Sequence, residues 1–294
     1  MKTTISIVIP VYNEEKSVDV TISKIKEVIK KLDYDFEIIA VNDGSTDKSK
    51  SIFEKISGIK LISHPYNKGY GAALKTGIIN SSGEWILITD ADGTYPVEDI
   101  PKLLQKMDNY DMIVGSRTGK SVSIPFFRRP AKKIISMLAN FMSGKRIPDL
   151  NSGFRLFKKD VAMEFFHLYP SKFSFTTTIT LAFLTNDYTV KYVPVNYYKR
   201  KGKSTIHPMD FMNFIILIVR IITYFNPLKI FLPSGIFLFL VGFFGDLLFL
   251  IFNNFSEPMP LSGILAMLMG IQILFLGVLA DLIVKRGHIY ERKK

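Results

Sequence analysis

The chain has 294 residues, enough for one α/β domain of ordinary size and an additional segment. Its formal charge of +12 predicts an anionic partner, which could be nucleic acid, a phosphorylated substrate or the acidic surface of a membrane. Because the chain has no cysteine, a disulfide framework and a thiolate metal site are both excluded.

Residues 1–115 alternate strand-like and helix-like segments, a pattern typical of a mostly parallel sheet covered by helices on both faces. No basic apolar leader precedes the first strand, so we expect no cleaved signal peptide. Helices are predicted to begin near Val18, Ser49 and Tyr70. The predicted strands are residues 5–9, 36–41, 60–62, 86–89 and 112–115.

Three of the predicted strands end in polar turns that carry acids. These turns are Tyr12-Asn13-Glu14, Asn42-Asp43-Gly44 and Asp90-Ala91-Asp92. In an open parallel sheet, ligands bind in the crevice beyond the carboxyl ends of the strands. Three such turns at one edge therefore predict a single ligand site.

The turn that contains Asp90 and Asp92 is the strongest candidate for a metal site. Side chains alternate along a strand, so the two carboxylates should leave its end on the same face, about 6–7 Å apart along the chain. Their repulsion would be relieved by a hard divalent cation shared with the phosphates of a ligand. The alternative is that this segment is only a polar turn after a strand.

Other nucleotide-binding motifs are absent from the sequence. Gly69-Tyr70-Gly71 is not the six-residue dinucleotide fingerprint, and no Walker-type glycine-lysine loop occurs. Hydride transfer and P-loop phosphoryl transfer are therefore excluded. The two glycines could lie near a phosphate or could only shape a loop.

Residues 116–205 are less regular and rich in cations. Some of these side chains should be ordinary solvated surface, and the others could meet lipid headgroups or a lipid-borne phosphate. The cations in question are Arg117, Arg128, Arg129, Lys132, Lys133, Lys145, Arg146, Arg155, Lys199, Arg200, Lys201 and Lys203.

Two long apolar stretches, residues 230–252 and 261–284, are each long enough to cross a hydrocarbon core of about 30 Å. The alternative is a pair of buried helices in a soluble core. The connection between them has no Lys or Arg, so the positive-inside rule places its tip outside and both chain ends in the cytoplasm. The flanking cations are Lys229, Lys285, Arg286, Arg292, Lys293 and Lys294.

The apolar segment 211–225 is too short to cross a bilayer, and we predict an interfacial helix along the inner leaflet. Asp246 lies about six residues from the outer end of its span, where burying a carboxylate is costly. We therefore predict that Asp246 contacts another helix, in a homo-oligomer.

Several segments together resemble the family-2 glycosyltransferases of GT-A fold, specifically the polyprenyl-phosphate branch that includes dolichol-phosphate mannose and glucose synthases. The resemblance covers about residues 3–206, and the apolar hairpin is similar to that of two-span members of the branch. The segments are Pro10-Val11-Tyr12-Asn13-Glu14, Asn42-Asp43-Gly44-Ser45, Asp90-Ala91-Asp92, Gly115-Ser116-Arg117 and Asp149-Leu150-Asn151-Ser152-Gly153-Phe154-Arg155.

The resemblance implies three regions in the chain. Residues 1–206 would form a cytoplasmic catalytic domain of the α/β class, with a GT-A, Rossmann-like, mostly parallel sheet. Residues 207–228 would form the interfacial amphipathic helix region. Residues 229–294 would form the transmembrane hairpin with a basic cytoplasmic tail.

The resemblance also implies roles for individual residues. The base and ribose of a nucleotide-sugar donor would be held by Pro10, Tyr12, Glu14 and Asp43. Asp90 and Asp92 would carry Mg²⁺ or Mn²⁺ on the donor diphosphate, with Asp92 as the direct ligand and Asp90 nearer the ribose and a metal-bound water. Arg117, Ser152 and Arg155 match segments around the acceptor phosphate and metal, and Arg200 and Lys203 match a basic loop that closes over the donor.

The sequence departs from the family pattern at three positions. Thr94 stands where some relatives have a metal-binding glutamine, and Thr178 stands where many have a glutamate. Thr205 replaces a common lysine after Ser204. The third metal ligand and the details of acceptor binding therefore stay open.

The residues suit the transfer of a sugar between two anionic substrates. Negative charge develops on the leaving nucleotide, where a divalent ion and Arg200 or Lys203 would stabilise it. A lipid phosphate is already anionic, so the main task is to position it, which gives Arg117 a role. Asp149 could orient or deprotonate the acceptor, or could be only a turn residue. No catalytic role is expected for His64, His167, His207 or His288.

We therefore predict an inverting transferase that moves one hexose-type sugar from a GDP-mannose or UDP-glucose type donor to a polyprenyl phosphate, dolichyl or undecaprenyl, at the cytoplasmic membrane face. Its partners would be the donor, the acceptor and the lipid bilayer, and no nucleic acid. One alternative is a processive polysaccharide synthase, although no Gln-x-x-Arg-Trp element occurs. The other is an inactive nucleotide-binding tether, against which the intact Asp90 and Asp92 argue.

Overall fold

The structure is a computed structural model that describes residues 2–119, 136–137, 139–141, 143–172, 174–198, 216, 219, 223–253 and 258–291, the last seven of these by their backbone alone. It divides into two compact units, residues 1–218 and residues 219–294. The predicted boundaries at residues 206 and 228 stay predictions.

The first unit is built on a seven-stranded sheet in the order β3-β2-β1-β4-β6-β5-β7. Neighbouring strands are parallel except where β6 pairs with β4 and with β5. This mixed, mostly parallel sheet confirms the predicted α/β class. The strands are β1 Thr4–Val11, β2 Asp35–Asn42, β3 Lys60–Ser63, β4 Trp85–Ile88, β5 Met112–Ser116, β6 Arg155–Lys158 and β7 Val190–Pro194.

Helices pack on the sheet through apolar faces that recur at helical spacing. The first helix buries Val18, Ile22 and Ile25 against a cluster that includes Ile5 and Ile7 of β1. Each fully buried aliphatic side chain contributes about 1.5–3 kcal/mol relative to an exposed one. The helices of this unit are α1 Val18–Ile29, α2 Ser49–Phe53, α3 Tyr70–Ile79, α4 Ile100–Leu104, α5 Lys159–Glu164 and α6 Phe175–Thr185.

The region predicted to be irregular contains β6, β7 and α6. Helix α6 buries every residue from Phe175 to Leu184, including four threonines, so its sequence shows no apolar stripe facing away from a polar one. Strand β6 is four residues long and lies between β4 and β5, which precede it in the chain. Neither element has the periodicity from which the other helices and strands could be predicted.

The second unit contains two long helices, α7 Leu228–Phe252 and α8 Leu261–Glu291. Their candidate spans, Leu228–Phe252 and Leu261–Val284, have mean hydropathies of 2.5 and 2.3. By length and composition both can cross a membrane, as the sequence predicts.

Glycines spaced seven residues apart bring the backbones of α7 and α8 into contact. A Cβ added to Gly242 would lie 2.6 Å from the carbonyl oxygen of Gly263, and one added to Gly270 would lie 2.7 Å from that of Gly235. Small residues of this kind let membrane helices approach closely. Close approach matters because apolar lipid provides no hydrophobic driving force for helix association, so the helices associate through van der Waals packing.

Asp246 of α7 is only 3% exposed, and its carboxyl group packs against Gly263 of α8. Its Oδ2 is buried and makes no hydrogen bond to any residue that the structure describes. The helix neighbour predicted for Asp246 thus comes from the same chain, and a homo-oligomer stays a prediction.

Some predicted features lie outside the described residues. Of the predicted interfacial helix 211–225, only residues 216, 219 and 223–225 are described. The basic loop with Arg200 and Lys203 and the cationic segment 120–135 also lie outside.

Candidate active site

The carboxyl ends of β1, β2 and β4 lie side by side at one edge of the sheet. In these parallel pairs Val11 is opposite Asn42, and Val8 is opposite Ile88. The turns that carry Glu14, Asp43 and Asp90 follow directly. The sheet therefore brings the three acid-bearing turns to one edge, where open α/β sheets bind their ligands. This edge, with Glu14, Asp43, Asp90 and Asp92, is called the acid edge below.

Hydrogen bonds join the turn after β1 to the turn after β2. Asn13 has a φ of +57°, and its Oδ1 accepts the backbone N–H of Thr46 at 2.8 Å. The hydroxyl oxygen of Ser45 accepts the N–H of Asn13 at 3.1 Å, and that of Ser49 accepts the N–H of Glu14 at 2.9 Å. The two turns therefore form one rigid rim.

The residues predicted to hold the donor differ in exposure along this rim. Pro10 is buried within β1, whereas Tyr12 is 38% exposed. The Glu14 carboxylate is partly buried and accepts a hydrogen bond from the Ser17 hydroxyl at 3.2 Å. Tyr12 thus presents an aromatic surface to solvent beside a carboxylate, and the predicted contacts to a base and ribose stay predictions.

Asp43 is 2% exposed and ties the start of α3 to β2. Its Oδ1 lies 2.7 Å from His64 Nδ1 and accepts the N–H of Lys68 at 2.9 Å, while its Oδ2 accepts the N–H of Gly69 at 2.8 Å. His64 Nε2 in turn lies 2.9 Å from the hydroxyl of Thr76. His64 therefore orients Asp43, a role that no local sequence signal indicates.

Asp90 and Asp92 follow β4, and each is oriented by a neighbouring hydroxyl. The Tyr70 hydroxyl donates to Asp90 Oδ1 at 3.0 Å. Asp92 is 8% exposed, and its Oδ1 accepts the N–H and the hydroxyl of Thr94 at 3.0 and 2.6 Å. Thr94 thus holds Asp92 in place.

The two carboxylates fit a hard divalent cation. Only Ala91 separates them at the carboxyl edge of the sheet, and magnesium typically takes one or two carboxylates together with phosphate oxygens and water. Among the residues that the structure describes, no group of three or more His, Asp or Glu side chains could hold a metal. The remaining ligands would therefore have to come from elsewhere, such as a bound diphosphate and water.

Gly69 and Gly71 allow a loop to lie against the start of α3. The carbonyl oxygen of Ser171 accepts the N–H of Ala72 at 2.8 Å. A Cβ on Gly69 would lie 2.5 Å from that same oxygen, and one on Gly71 would lie 2.8 Å from the carbonyl oxygen of Lys172. Of the two roles left open for these glycines, shaping a loop is the one observed.

Arg117 and Asp149 form a bidentate ion pair beside the acid edge. Arg117 Nε donates to Asp149 Oδ2 at 2.7 Å and Nη2 donates to Oδ1 at 2.8 Å. The Asp149 side chain is fully buried, and that of Arg117 is 17% exposed. The guanidinium carbon lies 5.2 Å from the centre of the Tyr197 ring. The geometry thus gives Asp149 a role that the sequence did not predict, orientation of Arg117, and its predicted role towards the acceptor stays a prediction.

Ser152 and Arg155 are both fully buried. The Ser152 hydroxyl donates to the carbonyl oxygen of Gly115 at 2.5 Å. Arg155 donates to the carbonyl oxygens of Ser152 and Thr176 at 3.0 and 3.1 Å and to the Thr180 hydroxyl at 3.0 Å. Burial lowers the pKa of Arg155. Both side chains thus hold the 149–155 segment in place, and their predicted role at an acceptor phosphate stays a prediction.

Tyrosine hydroxyls lie among these charged groups. Burial raises the pKa of Tyr70 well above its ordinary value, and the Asp90 charge adds to this effect. Burial also raises the pKa of Tyr95, whose hydroxyl oxygen accepts the N–H of Gly153 at 2.8 Å. Both phenols therefore stay protonated at neutral pH.

Two family models match the chain. The model described as glycosyl transferase family 2 matches residues 6–166, more than half of the chain. The model described as the GtrB C-terminal hairpin matches residues 226–285. The first match contains the acid edge and the second contains helices α7 and α8 up to residue 285.

Curated relatives align over nearly the whole chain. The undecaprenyl-phosphate 4-deoxy-4-formamido-L-arabinose transferase of Enterobacter sp. (strain 638) is 28% identical over 97% of this chain and 89% of its own length. The enzyme of the same name from Klebsiella pneumoniae (strain 342) is 28% identical over 98% of this chain and 89% of its own.

Solved structures share the fold at lower identity. Glucosyl-3-phosphoglycerate synthase from Mycobacterium tuberculosis, in complex with Mn²⁺, UDP-glucose and phosphoglyceric acid, has a TM-score of 0.58 and 16% identity, covering 75% of this chain and 80% of that one. S. aureus TarS 1–349 in complex with UDP has a TM-score of 0.52 and 20% identity, covering 77% and 66%. The chain belongs to glycosyl transferase family 2, with a GT-A-like sheet unit followed by a GtrB-type C-terminal hairpin.

Proposed function

We propose that the protein transfers one sugar from a nucleotide-diphosphate sugar to a polyprenyl phosphate, with undecaprenyl phosphate as the acceptor. The observation that carries this proposal is the acid edge of the sheet, where Asp90 and Asp92 follow β4, in a chain that also has an apolar hairpin. The acid edge suits a diphosphate with its cation, and the hairpin suits an enzyme whose acceptor is dissolved in a membrane.

The sugar is the less constrained part of the proposal. The relatives are named for 4-deoxy-4-formamido-L-arabinose, a modified pentose, whereas the sequence prediction is a hexose-type sugar. At 28% identity the name of a relative does not transfer to the donor pocket of this chain. We keep GDP-mannose and UDP-glucose as donor types and add a nucleotide-linked 4-deoxy-4-formamido-L-arabinose as the competing one.

Mg²⁺ or Mn²⁺ held by Asp90 and Asp92 would supply positive charge for the departing nucleoside diphosphate. In the proposed reaction, an oxygen of the acceptor phosphate forms a bond to the anomeric carbon of the sugar. The bond from that carbon to the donor diphosphate breaks on the opposite face, and the electron pair leaves with the nucleoside diphosphate. The result is inversion at the anomeric carbon.

Arg117 is proposed to position the acceptor phosphate. Asp149 engages Nε and Nη2 of the guanidinium and fixes its plane, so Nη1 is the nitrogen that Asp149 does not use. The acceptor phosphate is an anion at neutral pH and needs no strong base. A buried Asp149 that orients Arg117, with no part in proton removal, is consistent with that requirement.

The remaining predicted residues enter the proposal as donor-side and supporting groups. Pro10, Tyr12 and Glu14 would line the base and ribose, and Asp43 would keep the start of α3 in place beside them. Ser152 and Arg155 would support the loop that carries Asp149. Arg200 and Lys203 would close over the donor diphosphate.

We propose that the catalytic unit and both chain ends face the cytoplasm. The proposal rests on the distribution of cations around the hairpin, because the connection 253–260 has no Lys or Arg and residues 285–294 carry five. Cysteines introduced singly at Ser256 and Lys294 test it, since the native chain has none. An impermeant thiol reagent added to intact cells should label the first position and not the second, and the reverse pattern would overturn the orientation.

The test of function uses the purified full-length protein with Mn²⁺, undecaprenyl phosphate and a panel of radiolabelled nucleotide sugars. The expected result is one lipid-linked product with a single sugar, formed with one class of donor. Product from the formamido-arabinose donor alone would replace the hexose part of the proposal.

Two other outcomes would overturn the proposal in favour of the alternatives. Tight nucleotide binding with no lipid-linked product from any donor would indicate an inactive tether. Long water-soluble chains would indicate a processive synthase.

A further inference from the structure

The Asp90 carboxylate is held from two sides by residues of two other chain segments. On one side, the Tyr70 hydroxyl donates to Asp90 Oδ1 at 3.0 Å. On the other side lies Gly153, where an added Cβ would be 2.8 Å from Asp90 Oδ2, 3.0 Å from Oδ1 and 3.0 Å from the Tyr70 hydroxyl. Asp90, Tyr70 and Gly153 therefore form one tight cluster at the acid edge.

Both neighbours are themselves fixed. Tyr70 is the first residue of α3, and the residue before it, Gly69, donates its N–H to the buried Asp43 at 2.8 Å. Gly153 donates its N–H to the Tyr95 hydroxyl at 2.8 Å. A carboxylate placed between two anchored groups has little freedom to rotate.

The hydrogen bond from Tyr70 is directed at a carboxylate. A hydrogen bond from a phenol to a carboxylate oxygen is charge-assisted and stronger than one between neutral groups, so it favours one orientation of the Asp90 side chain. Outer partners of this kind orient ligating carboxylates, and losing one typically weakens metal affinity about 10–100-fold.

We propose that Tyr70 and Gly153 are positioning residues that set the orientation of the Asp90 carboxylate for a divalent cation. This inference rests on the proposed function, because it assumes that Asp90 and Asp92 hold the ion. It gives the Gly69-Tyr70-Gly71 segment a functional residue, the tyrosine, between two glycines that serve the packing of the loop.

The test is the dissociation constant for Mn²⁺ alone, measured from the free-ion electron paramagnetic resonance signal of the full-length protein in detergent. Tyr70→Phe removes one oxygen and keeps the ring. We expect it to raise the dissociation constant about 10–100-fold. Gly153→Ala should act in the same direction, because the added methyl group presses on both carboxylate oxygens.

Tyr169→Phe is the matched control. Tyr169 is also buried, and its hydroxyl donates to the carbonyl oxygen of Ala162 at 2.8 Å, so the control loses a comparable buried hydrogen bond outside the acid edge. It should bind Mn²⁺ as the native protein does. A second readout is the split of kinetic constants: in Tyr70→Phe the Mn²⁺ concentration for half-maximal turnover should rise while the acceptor KM stays unchanged.

The outcomes separate this inference from the proposed function. If the native protein binds Mn²⁺ and Asp92→Asn does not, but folded Tyr70→Phe binds with native affinity, the positioning role is overturned and the metal site stands. If native protein and Asp92→Asn bind Mn²⁺ equally, or neither binds it even with UDP or GDP added, the proposed metal site and the positioning role are both overturned. A tenfold or larger loss in Tyr70→Phe but not in Tyr169→Phe would support the inference.

Discussion

The two units bury an ionisable side chain in opposite ways. Arg155 of the sheet unit is 0% exposed and donates to two carbonyl oxygens and a hydroxyl. Asp246 of the hairpin unit is 3% exposed, and its Oδ2 makes no hydrogen bond to any described residue. The sheet unit surrounds its buried charge with polar partners, whereas the hairpin places its carboxyl group against a glycine.

The difference follows from what each unit is made of. Around the sheet, loops and the threonines of α6 bring carbonyl and hydroxyl oxygens into the interior. In the hairpin, the helices satisfy their own backbone groups and present mostly apolar side chains. We expect Arg155 to be integral to the stability of its unit and Asp246 to contribute little.

Replacing Arg155, the buried cation with several hydrogen-bond partners, should have the largest effect on stability. Arg155→Met leaves the Ser152 and Thr176 carbonyl oxygens and the Thr180 hydroxyl without their donor. The expected loss is about 3–5 kcal/mol of unfolding free energy, seen as a fall in the melting temperature of roughly 10 °C. A melting temperature within about 2 °C of the native value would contradict the view that these contacts hold the sheet unit together.

A carboxylate at the acid edge should matter for chemistry and not for folding. In Asp92→Asn the amide oxygen can still accept from the N–H and hydroxyl of Thr94, so the turn should be retained. The kcat/KM for sugar transfer should fall at least about 100-fold, because the ion loses an anionic ligand. Metal-dependent turnover at the native rate in this variant would refute the metal assignment.

The glycine contact in the hairpin should be the next most sensitive feature. Gly263→Ala places a methyl group on the Asp246 carboxyl, and overpacking of this kind costs about 1–3 kcal/mol. Gly245→Ala is the control on α7, because a Cβ there meets nothing within 4 Å. Thermal unfolding of the full-length protein in detergent should distinguish the two.

The effect of Gly263→Ala should depend on Asp246. If the clash is the cause, Asp246→Ala in the same protein should restore most of the lost stability. Asp246→Asn alone should change the unfolding free energy by less than about 1 kcal/mol, because no described hydrogen bond to Oδ2 is lost. A large loss in Asp246→Asn would show that the carboxylate has a partner of its own and would break the contrast with Arg155.

The smallest predicted effect concerns Glu37, which lies near the amino end of β2, at the opposite end of the strand from Asp43. Burial alone raises the pKa of Glu37, but hydrogen bonds from Ser6, Ser82 and Gly83 outweigh burial and hold the pKa below its ordinary value. The charged form therefore stabilises the fold above the unfolded pKa of about 4.3, and this contribution is lost as the pH falls through the folded pKa.

Glu37→Gln should lower the melting temperature slightly at pH 7 and by less as the pH approaches 4. Because Glu37 is partly exposed, we expect a difference below about 1 kcal/mol. Melting temperatures of both proteins between pH 3.5 and 7 would test this, and a difference that grows towards acid would contradict the sign.

Much of the fold could be predicted because local patterns carry it. The five strands of the first 115 residues and helices α1, α2 and α3 follow from alternating apolar and polar segments, and both spans follow from length and hydropathy. Helix α4 was not predicted. Strand β6, strand β7 and helix α6 could not be predicted, because four- and five-residue strands and a helix buried on all sides lack a distinguishing period.

The residues of the candidate site also divide into those that the sequence could predict and those that it could not. The acids at the carboxyl edge were identifiable because they directly follow strands. His64, Tyr70, Thr94 and Tyr95 were not, because each acts through a hydrogen bond that no motif encodes. The burial of Arg155 and its contacts to Ser152, Thr176 and Thr180 could not be predicted either, because they depend on the packing of α6 against the 149–155 segment.

The sequence by itself determined the sheet class, the acid-bearing strand ends, the apolar hairpin and the resemblance to a glycosyltransferase family. These features depend on residue types at short spacings, which local physics converts directly into strands, turns and spans. Only the tertiary structure decided which partners Asp43, Asp90 and Asp149 have, and that Asp246 faces its own hairpin. Those contacts join residues far apart in the chain, so packing alone could bring them together.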